Sequence, residues 1–232
     1  MLLVLLQSMI NNADSVSLNV AAKQVPVNYF DLAVKGGWVM IPITLLSVIA
    51  VYIFIERLMT LRNAARIDHN FMNRIKDYIH DGKIDSATAL CHSTDNPLAR
   101  MIEKGISRIG RPLNDINKAI ENIGQIEIYK LEKGLPILAS CAGAAPMLGF
   151  FGTVLGMVKT FMDMSSAGNS LDIGLLSNGI YIALITTVGG LMVGIPTFFA
   201  YNYLVTRVEE LVNQLESNTM EFMDLLNEPI KK

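Results

Sequence analysis

The strongest constraint on this chain is a pair of long uncharged stretches in its second half. Residues 135–158 carry no charge, and no Asp, Glu, Lys, Arg or His lies between Asp172 and Arg207. Crossing a hydrocarbon layer ~30 Å thick takes ~20 helical residues, so each stretch is long enough to span a membrane. Backbone groups in lipid must pair within their own segment, which makes both stretches helices. A third uncharged run, residues 38–55, is long enough as well, with Trp38 suited to an interface and Pro42 tolerable in an early helical turn.

Composition follows from these three segments. The chain has 232 residues, 51% of them hydrophobic and 17% charged. The charge deficit sits in the three segments rather than throughout, as expected of an integral membrane protein with a modest polar part. The net charge of −2 and the lack of a basic tract give no footprint for nucleic acid. Cys91 falls in the polar middle and Cys141 in a membrane segment, so no disulfide is expected between them, and no cysteine or histidine spacing suits a metal. His69, His80 and His92 are scattered.

Flanking charges set an expected topology. Arg57, Arg62 and Arg66 follow the first segment, Lys130 and Lys133 precede the second, and Arg207 follows the third. Cationic flanks mark the cytoplasmic side. The expected layout is a periplasmic N-terminal segment (1–37), membrane helix one (38–56), a cytoplasmic helical region (57–133), membrane helix two (134–162), a short periplasmic link (163–174), membrane helix three (175–206) and a cytoplasmic C-terminal helix (207–232). Residues 1–10 are apolar without a basic n-region, so they read as a piece at the membrane surface rather than a cleaved signal. A short interfacial helix is expected over 25–36. The fold class is an all-α membrane protein, with three transmembrane helices extended into a cytoplasmic helical region.

The polar middle reads as helical hairpins broken at Asp81-Gly82, Asn96-Pro97 and Gly110-Arg111-Pro112. Ile75, Ile79, Ile84, Ala87 and Leu90 recur at helical intervals, as do Ile116, Ile120, Ile123 and Ile126. Beyond residue 203, Leu204, Val208, Leu211, Leu215, Phe222 and Leu225 form a stripe suited to packing, either within one protomer or around an oligomer. No phosphate-binding glycine loop and no nucleophile beside a base occurs there, and the chain is not expected to be an enzyme.

The central helices hold the candidate site. Ala142, Pro146, Gly149, Thr153, Gly156 and Thr160 recur at alternating steps of four and three, and Gly179, Ala183, Thr186, Gly190, Val193 and Thr197 do the same. Gly152 and Gly156 form one small-xxx-small pair, Gly190 and Gly194 another. Such stripes fit tight helix packing or a narrow polar lumen. Thr153, Thr186 and Thr187 either bond a carbonyl one turn back or present hydroxyls to an ion path. Pro146 and Pro196 kink helices or free carbonyls as ligands. Lys159 and Asp163, four apart, are expected to pair. None of the three segments holds an acid or histidine at its centre, so a proton path would need a carboxylate from a partner.

The run LEKGLPILASCAGAAPMLGFFGTVLGMVKTF, with APMLGFFGTVLGM (Ala145 to Met157) as its most specific part, resembles the second membrane helix of the ExbB/TolQ/MotA family. GIYIALITTVGGLMVGIPTFFAYNYL, from Gly179, resembles that family's third membrane helix, and within the family the chain looks most like ExbB. The resemblance implies an ion-conducting motor subunit of the bacterial inner membrane. It also implies a homopentamer around an ExbD-like single-helix subunit that supplies an Asp. The ion gradient would then do work on a TonB-like protein for outer-membrane nutrient import. It implies Thr153 and Thr187 as the ion path, Thr186 as a possible third ligand, and no cofactor beyond the translocated cation, proton or sodium. Pro146, Gly149, Gly152, Gly156, Ala183 and Gly190 would pack the helices or line the lumen. Two residues depart from many proton-driven relatives: Ile182 stands where those carry a Glu, and Thr186 where those carry a small apolar residue. The alternatives are a TolQ-like or gliding-motor subunit and a non-conducting scaffold.

Overall fold

The computed structural model describes residues 36–65, 70–166 and 173–227. The expected N-terminal surface piece and interfacial helix, and half of the link between the second and third membrane segments (167–172), lie outside the described residues. Among the described residues there are seven α-helices and no strand. A 3-10 turn at Gly37–Val39 leads into α1 (Met40–Ala64). Four shorter helices follow: α2 (Phe71–His80), α3 (Ile84–Ser93), α4 (Pro97–Ile106) and α5 (Leu113–Glu132). The chain ends in two long helices, α6 (Leu135–Ser166) and α7 (Ile173–Asn227).

Three of these helices are long and apolar enough to cross a membrane. At 1.5 Å per residue α7 is ~80 Å long, far more than a bilayer needs, so its C-terminal half stands outside the lipid. The exposed Leu45, Val48 and Phe150 belong to the membrane part, where lipid takes the place of a core. Outside it, α2, α4 and α5 pack on the far half of α7, and α3 packs on α2 and α4. Their shared core is built from Ile75, Leu98, Ile102, Ile120, Leu215 and Phe222, each fully buried.

The stripe along α7 is thereby spent inside one protomer: Leu204, Val208, Leu211, Leu215, Phe222 and Leu225 are all buried. The ring of Phe222 lies over Gly105, where an added Cβ would stand 2.6 Å from it. The interhelix breaks coincide with the turn dipeptides. Asn96 caps α4 by accepting a bond from the Leu98 amide at 2.9 Å, and Pro97 occupies the first helical position, where no amide hydrogen is needed. Ile126 departs from its periodic stripe and is exposed.

The boundary expected between residues 133 and 134 is also a break between helices. The α5 and α6 helices are separated at Lys133-Gly134, and Gly134 has φ +89°, a conformation that glycine adopts without strain. Buried Arg57, at the end of α1, pins this corner. It donates to the Lys130 carbonyl at 3.2 Å and pairs with Glu56 at 2.7 Å. From Lys130 a charge chain runs into the polar body: Lys130 and Arg100 both pair with Glu127, at 2.7 and 2.6 Å, and Arg100 also reaches Asp95 at 2.7 Å. Glu127 is buried, which opposes ionisation. The hydrogen bonds from Arg100 and Lys130 outweigh that, and its carboxyl is held below the ordinary carboxylate range.

A hydroxyl cluster in the seam between α6 and α7

The small-residue stripes of α6 and α7 face each other. An added Cβ on Gly149 would lie 2.8 Å from the Thr186 carbonyl oxygen, and one on Gly190 would lie 2.5 Å from the Ala145 carbonyl oxygen. Gly156 meets Ala183 in the same way, and Gly194 leaves room for the ring of Pro146. Gly152 lies under Thr186 and against Val39 from the turn before α1. The six residues expected to pack or line a lumen (Pro146, Gly149, Gly152, Gly156, Ala183 and Gly190) therefore lie along one backbone-to-backbone seam. The small residues let two helix backbones touch where lipid supplies no hydrophobic drive between them.

Three threonine hydroxyls gather at this seam. Thr153 Oγ1 lies 3.0 Å from the Ala183 carbonyl oxygen and 3.3 Å from that of Gly149, one turn back on its own helix. Thr186 Oγ1 lies 2.7 Å from the Ala183 oxygen and 3.1 Å from the Gly149 oxygen. Thr187 Oγ1 lies 3.2 Å from the Gly149 oxygen and is in direct hydrogen-bond contact with Thr153 Oγ1. Five oxygens, three from hydroxyls and two from carbonyls, thus share one small volume. Each hydroxyl carries a single proton, so three protons cannot serve all of these contacts. The cluster is rich in lone pairs, a donor set suited to a proton-bearing group or a hard cation.

Its members are not equivalent. Thr186 is buried, whereas Thr153 and Thr187 are only partly buried at the edge of the seam. Sequence spacing placed the three threonines near one another. It could not show that the Gly149 and Ala183 carbonyls join them, because any residue type supplies a carbonyl. Thr160 continues the seam: buried, it donates to the Gly156 carbonyl at 2.8 Å and occupies the space left by Gly179. The expected Lys159–Asp163 pair is not formed; both side chains are exposed at the end of α6, where water or headgroups solvate them at less entropic cost than pairing. Cys91 and Cys141 are free and buried, and burial, helped by nearby Glu103, pushes the Cys91 thiol up to about 12, which keeps it unreactive.

The described residues thus form a helical membrane protein with a hydroxyl cluster held where α6 and α7 carry no charge. Residues 93–217 match the MotA/TolQ/ExbB proton channel family, and the chain belongs to that family. Among its relatives is a putative biopolymer transport protein ExbB homolog of Methanothermobacter thermautotrophicus, 28% identical over 74% of this chain and 62% of the relative. The putative biopolymer transport protein ExbB-like 3 of Synechocystis is 26% identical over 82% of this chain and 94% of its own length. The Tol-Pal system protein TolQ of Haemophilus influenzae is 40% identical over 42% of this chain and 41% of its own. The chain thus spans under two thirds of the first and third of these relatives.

Proposed function

We propose that the chain is the ExbB-type subunit of an inner-membrane motor, and that cations pass along the α6–α7 seam at Thr153 and Thr187, with Thr186 behind them. The observation that carries this reading is the lone-pair-rich cluster of three hydroxyls and two carbonyls on helices that hold no charge at membrane depth. Because these helices carry no acid or histidine at membrane depth, an ExbD-like single helix supplies the Asp. Several copies of this chain, five by family analogy, surround it, with the N-terminus periplasmic and the C-terminus cytoplasmic. Each charge moved yields ~2.3 kcal/mol per 100 mV, and that work is delivered to a TonB-like protein for nutrient import. The cation is a proton or sodium. Thr186 adds a hydroxyl oxygen, which a partly dehydrated sodium ion would use and a proton relay would not.

One observation favours a second reading. Every hydroxyl of the cluster has a carbonyl acceptor within its own protomer, so the threonines could serve only to lock a non-conducting scaffold. The double substitution Thr153→Ala, Thr187→Ala separates the two. With the partner co-expressed, the motor loses at least ~tenfold in transport while the complex still assembles, on the scale of ~1.4 kcal/mol lost from a transport barrier. Full transport by the assembled double variant supports the scaffold. Repeating the wild-type measurement with sodium removed at matched membrane potential identifies the ion: unchanged uptake means proton.

A further inference from the structure

Two clefts along α1 and α7, the first also bordered by Leu138 of α6, meet at Tyr203. The first has a volume of about 540 Å³ and lies at membrane depth, lined by apolar groups such as Val51, Phe54, Met192, Pro196 and Phe199. Along α7 it runs from Met192 to Tyr203, about 16 Å at the helical rise, or roughly half of a ~30 Å hydrocarbon core. The groove is therefore one leaflet long. The second cleft, about 350 Å³, begins where the first ends and is lined by Arg62, Arg207, Glu210 and Gln214 beside Tyr203.

The charges of the second cleft do not cancel. Arg207 donates to Tyr203 Oη at 3.2 Å, lies over the Tyr203 ring and pairs with Glu210 at 2.8 Å. Arg62 is exposed and makes no ion pair among the described residues. Two guanidinium groups against one carboxylate leave a single positive charge above a one-leaflet apolar groove.

We infer that this composite cleft is a binding site for one anionic glycerophospholipid, with an acyl chain along the α1–α7 groove and the headgroup phosphate on Arg62 and Arg207. A phosphodiester headgroup with no cation of its own carries the one negative charge that the cleft lacks. Guanidinium groups bind phosphate oxygens through paired, charge-assisted bonds. Tyr203, apolar in its ring and polar at its tip, stands at the boundary between chain and headgroup. The lipid belongs to the leaflet on the arginine-flanked side and wedges α1 against α7, the two helices that carry the membrane part into the polar body.

The test uses the full chain in detergent and in nanodiscs, with lipid retention read by native mass spectrometry. Wild-type protein retains phosphatidylglycerol about tenfold more tightly than phosphatidylcholine. The double variant Arg62→Gln, Arg207→Gln loses that margin, as expected for ~1.4 kcal/mol of charge-assisted bonding. Val51→Trp, at an exposed groove position, weakens retention although both arginines remain, and inorganic phosphate at millimolar concentration does not displace the lipid. Equal retention of both lipids by the wild type overturns the proposal whether or not the variants fold. So does displacement by inorganic phosphate, which would mean a headgroup pocket alone. A Val51→Cys chain that cross-links to a second copy, with no lipid retained, assigns the groove to a protomer interface and overturns it as well.

Discussion

The α6–α7 seam and the core of the polar body are both tightly packed, but they are packed with opposite materials. The body closes over Leu98, Ile102, Ile120, Leu215 and Phe222, large side chains whose removal from water is the reason the helices assemble. The seam closes over Gly149, Gly156, Gly190 and Gly194, where backbone meets backbone and side-chain volume is kept out. In lipid, an apolar side chain gains little by leaving one apolar surroundings for another. Close approach, dispersion and hydroxyl-to-carbonyl bonds must do the assembling instead. It follows that the seam should fail when atoms are added and the body when atoms are taken away.

The largest effect is expected from filling the seam. Gly190→Ile places a branched side chain where even a Cβ would stand 2.5 Å from the Ala145 carbonyl oxygen and 2.9 Å from the Gly149 Cα. Both obstacles are backbone, so no rotamer change relieves them, and the cost exceeds the ~1–3 kcal/mol of ordinary overpacking. The folded form should disappear from size-exclusion profiles. Gly143 is the internal comparison: an added Cβ there meets nothing within 4 Å, so Gly143→Ala should leave the profile unchanged. A tolerated Gly190→Ile would mean that the helices are not held at backbone contact.

Emptying the body comes next. Phe222→Ala removes a fully buried ring that lies over Gly105, and should cost ~3–5 kcal/mol, read as a lowered denaturation midpoint. Because α2 to α5 lie outside the membrane part, hydrogen exchange should rise there and not in the seam. Uniform loosening of both regions would show that they unfold as one unit and would blunt the contrast.

Much of this arrangement is legible in the residues themselves. Charge-free runs of membrane length define the spans, the turn dipeptides define the breaks in the polar body, and the small-residue periodicity places Gly149, Thr153, Ala183 and Gly190 on the faces that meet. What periodicity leaves open is what each face meets. The α7 stripe from Leu204 to Leu225 suits an oligomer contact as well as an internal one. It is internal because α1, α2, α4 and α5 pack against it, a long-range fact that no local pattern carries. The Gly149 and Ala183 carbonyls are invisible for a similar reason, since they join the site through helix placement rather than side-chain type. The charge pattern divides the polar region from membrane helix two at residues 133 and 134, but a lone glycine beside a polar residue is a weak signal for the turn there until Arg57 is seen holding it.

The smallest effect should come from Glu127, where the body uses buried charge as well as apolar volume. Glu127 is held ionised by Arg100 and Lys130, with its pKa lowered from an ordinary value of 4.5. A group whose folded pKa is depressed adds stability that is fully present above its unfolded value and is lost as pH falls through the folded one. The body should therefore keep its full denaturation midpoint above about pH 4.5 and lose part of it on further acidification. Glu127→Gln should lower the midpoint at neutral pH, by less than Phe222→Ala, and flatten the acid limb, because its amide cannot gain or lose the proton. The membrane seam holds no acid among the described residues of α6 and α7 at that depth, so its exchange protection should not follow this titration. An acid limb of equal depth in both regions would tie the seam to the Arg57–Lys130 corner, a polar link between α1 and the end of α5 just before α6 begins.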